Sequence, residues 1–255
     1  SFRFQWTADA MTTWGSEMET LILGWYILVA TDSPFLVGIL AALRMSGTLL
    51  APLVGVLADR MSRKALLVFI RLGAGTSALA LLILAALDVL QPWHVFVIAS
   101  IGGLIRPADN VLRQSLIADT VPRELLMNAS GLARTTQDTA RIVGALLGAT
   151  LLSRLGLGWA YLGVTSFYVF SVLFVMGISP IRSTVAVAHA NPITEMKQGV
   201  KYMIESPVIK PLMFLAFVVN LLAFPLTNGL LPIVARDVYG GNENSLALMV
   251  AVFAS

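Results

Sequence analysis

The chain has 255 residues, of which 57% are hydrophobic and only 12% are charged, and its formal net charge is +3. A typical soluble domain has about a quarter of its residues charged, so this composition excludes an ordinary water-soluble domain. The small positive charge is no sign of nucleic-acid binding and has to be interpreted by position. The chain contains no cysteine, which excludes disulfide bonds and thiolate metal sites. The sequence therefore indicates a polytopic membrane protein.

Long apolar stretches follow one another along most of the chain. A membrane-spanning helix needs about 20 mostly apolar residues, and helix is the only structure expected, because lipid cannot satisfy the backbone groups of an open strand. An eighth stretch begins near Ser245. The seven spans predicted before it are Phe4–Ala30, Phe35–Ala58, Ala65–Leu87, Trp93–Ile117, Leu125–Leu152, Trp159–Ser179 and Pro211–Ala235.

The basic residues outside the spans fall mostly on one side of the predicted membrane. Because cytoplasmic loops are enriched in Lys and Arg, their distribution predicts a cytoplasmic N-terminus. The two basic residues on the outer side are Arg154 and Arg236. The nine on the inner side are Arg3, Arg60, Arg63, Lys64, Arg123, Arg182, Lys197, Lys201 and Lys210.

The connection Arg182–Lys210 is longer and more polar than the loops before it. Asn191-Pro192 has the pattern of a helix start, and apolar residues follow at helical spacing. We expect an amphipathic helix on the cytoplasmic membrane surface, with a solvated linker helix as the alternative. The predicted domains are therefore a six-helix transmembrane bundle at 1–181, a cytoplasmic linker at 182–210 and the start of a second bundle at 211–255.

A basic stretch between spans two and three, Gly55–Leu67, carries the most specific motif in the chain. It resembles the loop signature of the major facilitator superfamily, with serine at position 62 in place of the second glycine. The resemblance implies an all-α membrane fold of twelve spans in two halves, with the substrate cavity between them. The chain is then expected to hold the first six-helix bundle and the start of the second. The residues expected to latch the cytoplasmic ends of the two halves are Gly55, Asp59, Arg60, Arg63 and Lys64.

Span one has one polar face. A charge at the bilayer centre costs about 2.5–3.5 kcal/mol, so such residues usually face a cavity or a partner. Glu17 and Glu19 have no basic residue within a turn of their own helix, which makes them the proton-coupling candidates, Glu19 first. Asp138 in span five is only the runner-up, because Arg134 and Arg141 share its helix face and their positive charges favour its ionised form. At 100° per residue, an arc of roughly 160° holds Asp9, Thr12, Thr13, Ser16, Glu17, Glu19 and Thr20.

Further charged and amide side chains in the other spans are candidates for the wall of the cavity. Arg71 in span three is expected to reach the membrane interface instead of the cavity. It lies near the cytoplasmic end of its span, and a long arginine side chain can extend from there to the interface. Pro107 and the adjacent Gly102 and Gly103 predict a kink in span four. The cavity-lining candidates are Arg44, Arg106, Asp109, Arg113, Arg134, Arg141, Asn220 and Asn228.

Small residues in span five recur at a spacing that resembles the exporter motif of the superfamily. Alanine stands where the motif has two of its glycines and its proline. Ordinary close packing of helices explains the same pattern, so both interpretations stay open. The residues concerned are Gly131, Ala140, Gly144, Ala145, Gly148 and Ala149.

Three sequence segments resemble the superfamily branch of bacterial enterobactin exporters and macrolide efflux proteins. They are Trp25–Ser33, Arg106–Leu132 and Glu195–Lys210. The resemblance implies a proton-driven exporter of a small organic molecule, drug-like or siderophore-like, in the bacterial inner membrane. Its partners are then the lipid bilayer, the substrate and protons.

No cofactor is expected, because the sequence has no nucleotide-binding signature. An enzyme is not expected, because there is no Cys/His pair, no metal-spaced histidines, and both histidines, His94 and His189, fall outside the spans. The alternatives are an uptake symporter of the same fold, a non-transporting sensor or scaffold, and a channel.

Overall fold

A computed structural model of the chain describes residues 2–47, 63–177 and 229–254, together with positions 209, 211, 212, 214, 215 and 218. All the regular structure within these residues is helical. Leu231–Ile233 continues as a π-helical turn over Val234–Val238. The α-helices are α1 Phe2–Thr31, α2 Pro34–Met45, α3 Arg63–Ala86, α4 Pro92–Thr120, α5 Leu126–Leu155, α6 Leu157–Met176, α7 Leu231–Ile233 and α8 Glu243–Ala254.

The helices confirm most of the predicted spans. α1 and α3 to α6 begin and end within three residues of the predictions, and α8 begins two residues before Ser245. The second half of span two, the linker 182–210 and most of span seven lie outside the described residues. The amphipathic linker helix and the domain boundaries therefore stay predictions.

Local sequence signals start the helices that follow short loops. Ser33 caps α2 by accepting a hydrogen bond from the backbone N–H of Leu36 at 3.4 Å, and Pro34 takes the first helical position. At the start of α4, the backbone N–H of Gln91 donates to His94 Nδ1 at 3.0 Å, ahead of Pro92. Proline is favoured at these first positions because its missing N–H would have no helical partner there.

Helix α1 is the centre of the bundle. It packs along α5 and α6 and also touches α2 and α4, while α3 packs mainly against α6 and α4. Gly144 and Gly148 of α5 let the α1 backbone come close, because a Cβ at either position would lie 3.3–3.4 Å from backbone atoms of α1. The small residues of α5 thus serve close helix packing, which leaves the exporter interpretation untested.

The exposed surface of the described bundle is strongly apolar. By length and composition, Lys64–Ala86, Pro92–Ala118 and Leu157–Met176 can each cross a membrane. Each of α1 and α5 has 30 residues, about 45 Å of helix, but carries more charges. Arg134 and Asp138 of α5 lie on the exposed surface of the described residues. On α3 and α6 that surface is apolar, with side chains such as Phe69 and Leu173.

Candidate functional site

A cavity of about 250 Å³ lies at the centre of the bundle. All six helices from α1 to α6 contribute to its wall, so it is bounded by the whole bundle and not by one helix pair. Most of the side chains that line the cavity are polar or charged. The charged ones are Glu17, Glu19, Arg44, Arg71, Arg106, Asp109, Arg113 and Arg141.

Four buried charges form a closed group at one end of this cavity. Arg71 of α3 donates from Nε to Asp109 Oδ1 at 2.9 Å and from Nη2 to Asp9 of α1. Arg113, one turn after Asp109 on α4, donates to Asp109 Oδ2 at 2.8 Å and lies 3.6 Å from Asp9. Two carboxylates and two guanidinium groups balance each other, so this buried quartet adds no net charge to the bundle.

Two hydroxyl groups on neighbouring helices accept further hydrogen bonds from the quartet. Arg71 Nη1 donates to Ser171 Oγ of α6 at 3.1 Å, and Arg113 Nη1 donates to Thr13 Oγ1 at 2.9 Å. Ser171 in turn donates to the Ala8 carbonyl at 2.9 Å. Buried charges need this degree of pairing. The quartet therefore joins α1, α3, α4 and α6 through polar contacts inside the membrane.

The expectation that Arg71 reaches the membrane surface is wrong. Its side chain is only 1% exposed, and two carboxylates from neighbouring helices hold it inside the bundle. Sequence reasoning treated Arg71 alone and missed these partners. The sequence did contain one indication of these pairs. Asp9 and Asp109 each need a cation nearby, because an unpaired carboxylate is costly at this depth in the membrane.

Glu17 and Arg106 form the second ion pair of the cavity. Glu17 Oε1 lies 3.0 Å from Arg106 Nη2, and the glutamate side chain is 14% exposed while the arginine is 42% exposed. The pair joins α1 to α4 next to the open space. A partly exposed ion pair contributes little stability, so this pair is easier to break than those of the buried quartet.

Glu19 is arranged differently. Its Oε2 accepts a hydrogen bond from the Tyr168 hydroxyl of α6 at 3.0 Å. Within the described residues, no basic side chain forms an ion pair with it. Arg44, the basic side chain that α2 contributes, donates from Nη2 to Thr20 Oγ1 at 2.7 Å. Tyr168 is a partner that sequence reasoning missed, because nothing along α6 indicates which face meets α1.

Arg134 and Asp138 lie away from the central cavity of the described helices, and the predicted role of Arg134 in a cavity between two bundles stays a prediction. The two side chains pair at 3.3 Å, with Arg134 73% exposed, and neither lines the central cavity. Arg134 shares a helix face with Arg141 but lies two turns earlier, about 10 Å along the axis. Arg141 does reach the cavity.

A second cavity of about 160 Å³ lies between α1, α2, α5, α7 and α8. Its wall is largely apolar and includes Leu40, Leu246 and Phe253. Glu17, Arg44 and Arg141 line this cavity and the central one alike. The two cavities are therefore neighbours, with these three charged side chains between them.

Of the predicted latch, the structure describes the side chain of Lys64. Its Nζ donates to the carbonyl oxygen of Met176, at the C-terminal end of α6, at 2.9 Å, where a cation complements the last carbonyls of a helix. Gly55, Asp59 and Arg60 lie outside the described residues, as do the side chain of Arg63 and the residues Asn220 and Asn228. Their predicted roles stay predictions.

At the opposite end of the bundle, Arg236 lies in the π-helical turn that follows α7 and contacts the loop after α1. It lies 2.8 Å from Asp32 Oδ1 and donates to the Leu28 carbonyl at 3.1 Å. The hydrogen bond to Asp237 and the charges of Asp237 and Asp32 raise the pKa of Arg236, so it stays protonated. We call the Arg236–Asp32 ion pair the end clasp.

Helices packed around a central cavity with paired charges are typical of membrane transporters. The chain belongs to the MFS_3 family, transmembrane secretion effector, whose profile matches residues 1–255. It thus has the fold of the major facilitator superfamily, a family of multi-pass membrane transporters, as the signature loop predicts.

Individual relatives agree with this family. The chain is 23% identical over 261 residues to macrolide efflux protein A of Streptococcus pyogenes, covering 98% of this chain and 62% of that protein. The serotype M6 protein of the same name gives the same values. The chain thus spans less than two thirds of these relatives.

Two solved transporters share the fold. An auto-inhibited POT family peptide transporter has a TM-score of 0.61 at 15% identity, covering 99% of this chain and 50% of that one. The POT family transporter PepTSo has a TM-score of 0.57 at 14% identity, covering 99% and 51%. At these identities, the two structures show the fold alone.

Proposed function

We propose that the chain forms the first half of a proton-coupled exporter of small organic molecules that works by alternating access. The observation that carries this proposal is the position of Glu17 and Glu19, whose carboxylates line a cavity bounded by all six helices. A carboxylate in such a place can exchange a proton with the water of the cavity, and intramembrane carboxylates commonly form proton pathways.

Glu19 is the preferred proton carrier. It is held by a hydroxyl hydrogen bond from Tyr168, so protonation leaves no cation without its partner. Glu17 would release Arg106 on taking a proton, which suits a switch between two states better than the storage of a proton. Asp138 lies outside the cavity beside Arg134 and stays the runner-up.

We also propose an orientation of the chain in the membrane. With the N-terminus in the cytoplasm, the loop after α1 and the end clasp lie on the outer side, and Asp59 and its basic neighbours lie on the inner side. The clasp then closes the outer end of the cavity, and the predicted latch closes the inner end in the opposite state. The bundle 1–181, the linker 182–210 and the second bundle from 211 are parts of this proposal, as is the bacterial inner membrane.

Export is favoured over uptake because the curated relatives are named macrolide efflux proteins. An uptake symporter has the same fold, so direction has to be measured. A non-transporting sensor would have no use for exchangeable carboxylates in a cavity. Alanine substitutions of Glu19 and Asp138 should leave the activity of such a sensor unchanged, whereas they should impair a transporter.

The test uses inverted membrane vesicles that contain the intact transporter. The probes are a labelled macrolide and three naphthalene compounds of different permanent charge: 2-naphthalenesulfonate, its neutral sulfonamide and 2-naphthyltrimethylammonium. With an acidic lumen, an exporter accumulates at least one probe above the level in vesicles without the transporter, and a protonophore abolishes the accumulation. Loss of a preloaded probe on acidifying the lumen would indicate uptake, and no flux of any probe would contradict transport of this chemistry.

A further inference from the structure

The central cavity and the second cavity are neighbours, and we call them the polar lobe and the apolar lobe. Glu17, Arg44 and Arg141 line both lobes. A solute of sufficient length can therefore touch both lobes at once, with these charged side chains beside its middle or its polar end. The charge at this junction decides what kind of solute fits.

The charges of the polar lobe do not cancel. Its lining includes five arginines, and the carboxylates facing them are Glu17, Glu19, Asp109 and Asp9. The buried quartet is balanced, and Glu17 neutralises Arg106. Glu19 then remains against Arg44 and Arg141. Among the residues that the structure describes, the lobe therefore carries one net positive charge with Glu19 ionised and two with Glu19 protonated.

The two arginines at the junction are available to a ligand. Arg44 donates to the neutral hydroxyl of Thr20 at 2.7 Å, and Arg141 is exposed. None of the residues that the structure describes forms an ion pair with either of them. A guanidinium group is a planar fork of donors that matches the oxygens of carboxylate, sulfonate and phosphate groups. An anionic group at the junction would satisfy both arginines.

The apolar lobe fits the rest of such a molecule. Apart from the shared charges and Thr20, its wall is apolar, with side chains such as Val37, Leu40, Leu246 and Phe253. Pockets of this composition bind hydrophobic bodies, and a few polar groups fix the orientation. A second charge in this lobe would lose its hydration without a partner.

We propose that the transport site is specific for amphipathic organic anions, whose acidic group binds Arg44 and Arg141 and whose apolar body fills the apolar lobe. This inference rests on the proposed function, because it names the substrate class of the same cavity. It also assigns Glu19 a role in affinity, since protonation of Glu19 removes the carboxylate that competes with the anion.

The test measures binding of the three naphthalene probes to the intact transporter in nanodiscs, with empty nanodiscs as blank. The sulfonate should bind at least about tenfold more tightly than the sulfonamide and the trimethylammonium compound. Arg44→Gln and Arg141→Gln should each weaken sulfonate binding by about tenfold and leave sulfonamide binding unchanged. Glu19→Gln should strengthen sulfonate binding, because it removes a nearby negative charge.

Arg134→Gln is the matched control, since Arg134 is an arginine of the same helix as Arg141 but lies outside both lobes. It should change the affinity for none of the probes. Equal or tighter binding of the cation or the neutral compound would overturn the inference, as would absence of binding by every probe to a folded preparation. Proton-dependent export of the cation in the vesicle assay, without export of the sulfonate, would leave the proposed function standing and refute only the anion specificity.

Discussion

Replacing Arg71 by methionine should destabilise the bundle more than any substitution of a surface charge. Methionine keeps much of the length of the side chain but removes its hydrogen bonds to Asp9, Asp109 and Ser171. Two buried carboxylates would then share Arg113 as their remaining cation. The perturbation therefore leaves a net negative charge inside the described bundle and creates little empty space.

The magnitude follows from the burial of the quartet. Removing one partner of a buried ion pair costs about 3–5 kcal/mol, because the other charge is left uncompensated. Arg113 reduces this cost, since it lies 2.8 Å from Asp109 and 3.6 Å from Asp9, so we expect about 3 kcal/mol. An exposed pair contributes only about 0–1 kcal/mol, which sets the expected effect of Arg134→Met.

The assay is reversible unfolding of the purified transporter in mixed micelles, followed by tryptophan fluorescence and circular dichroism. Arg71→Met should lower the free energy of unfolding by about 3 kcal/mol, and Arg134→Met should lower it by less than about 1 kcal/mol. Equal effects of the two substitutions would refute the reasoning, because they would mean that the quartet contributes no more than a surface pair.

Three further predictions concern helix packing and the two ends of the bundle. Gly103→Ala should cost about 1–3 kcal/mol of unfolding free energy, because its Cβ would clash with the Leu43 carbonyl oxygen of α2. A Cβ at Gly102 meets nothing within 4 Å, so Gly102→Ala should not destabilise the bundle. Equal losses in the two variants would contradict this. Asp32→Asn should break the end clasp and lengthen spin-label distances across it. Asp88→Asn is the control, since Asp88 has a similar positive φ in the loop after α3, and it should leave these distances unchanged. Identical distance distributions in the Asp32→Asn variant and the unsubstituted protein would exclude the clasp. Asp59→Asn should weaken the outward-facing state by about 1–3 kcal/mol, and unchanged distances between the cytoplasmic helix ends would rule out the latch.

The helix positions could be predicted because their signals are local. Apolar length and turn residues such as Ser33 and Pro34 lie in the sequence beside the boundaries they set, and the predicted and observed ends of α1 and α3 to α6 agree within three residues. The motif at Gly55–Leu67 likewise predicted the superfamily to which the chain belongs, although most of that motif lies outside the described residues.

The partners of the charges could not be predicted in the same way. Helical periodicity shows that Asp109 and Arg113 share a face, and the structure pairs them at 2.8 Å. It does not show which helix that face meets, so the ion pairs of Arg71 with Asp9 and Asp109 were missed. The same limit hid the contact between Tyr168 and Glu19, because α6 is apolar over most of its surface and gives no rotational signal.

The most direct test of the account is the coupling of flux to protons in Glu19→Gln, measured in liposomes with the best-transported naphthalene probe. The account predicts that this variant loses accumulation driven by a pH gradient and keeps exchange of labelled for unlabelled probe at zero gradient. Normal proton-driven accumulation by Glu19→Gln and Glu17→Gln, together with its loss in Asp138→Asn, would contradict the account, because the coupling proton would then bind outside the cavity.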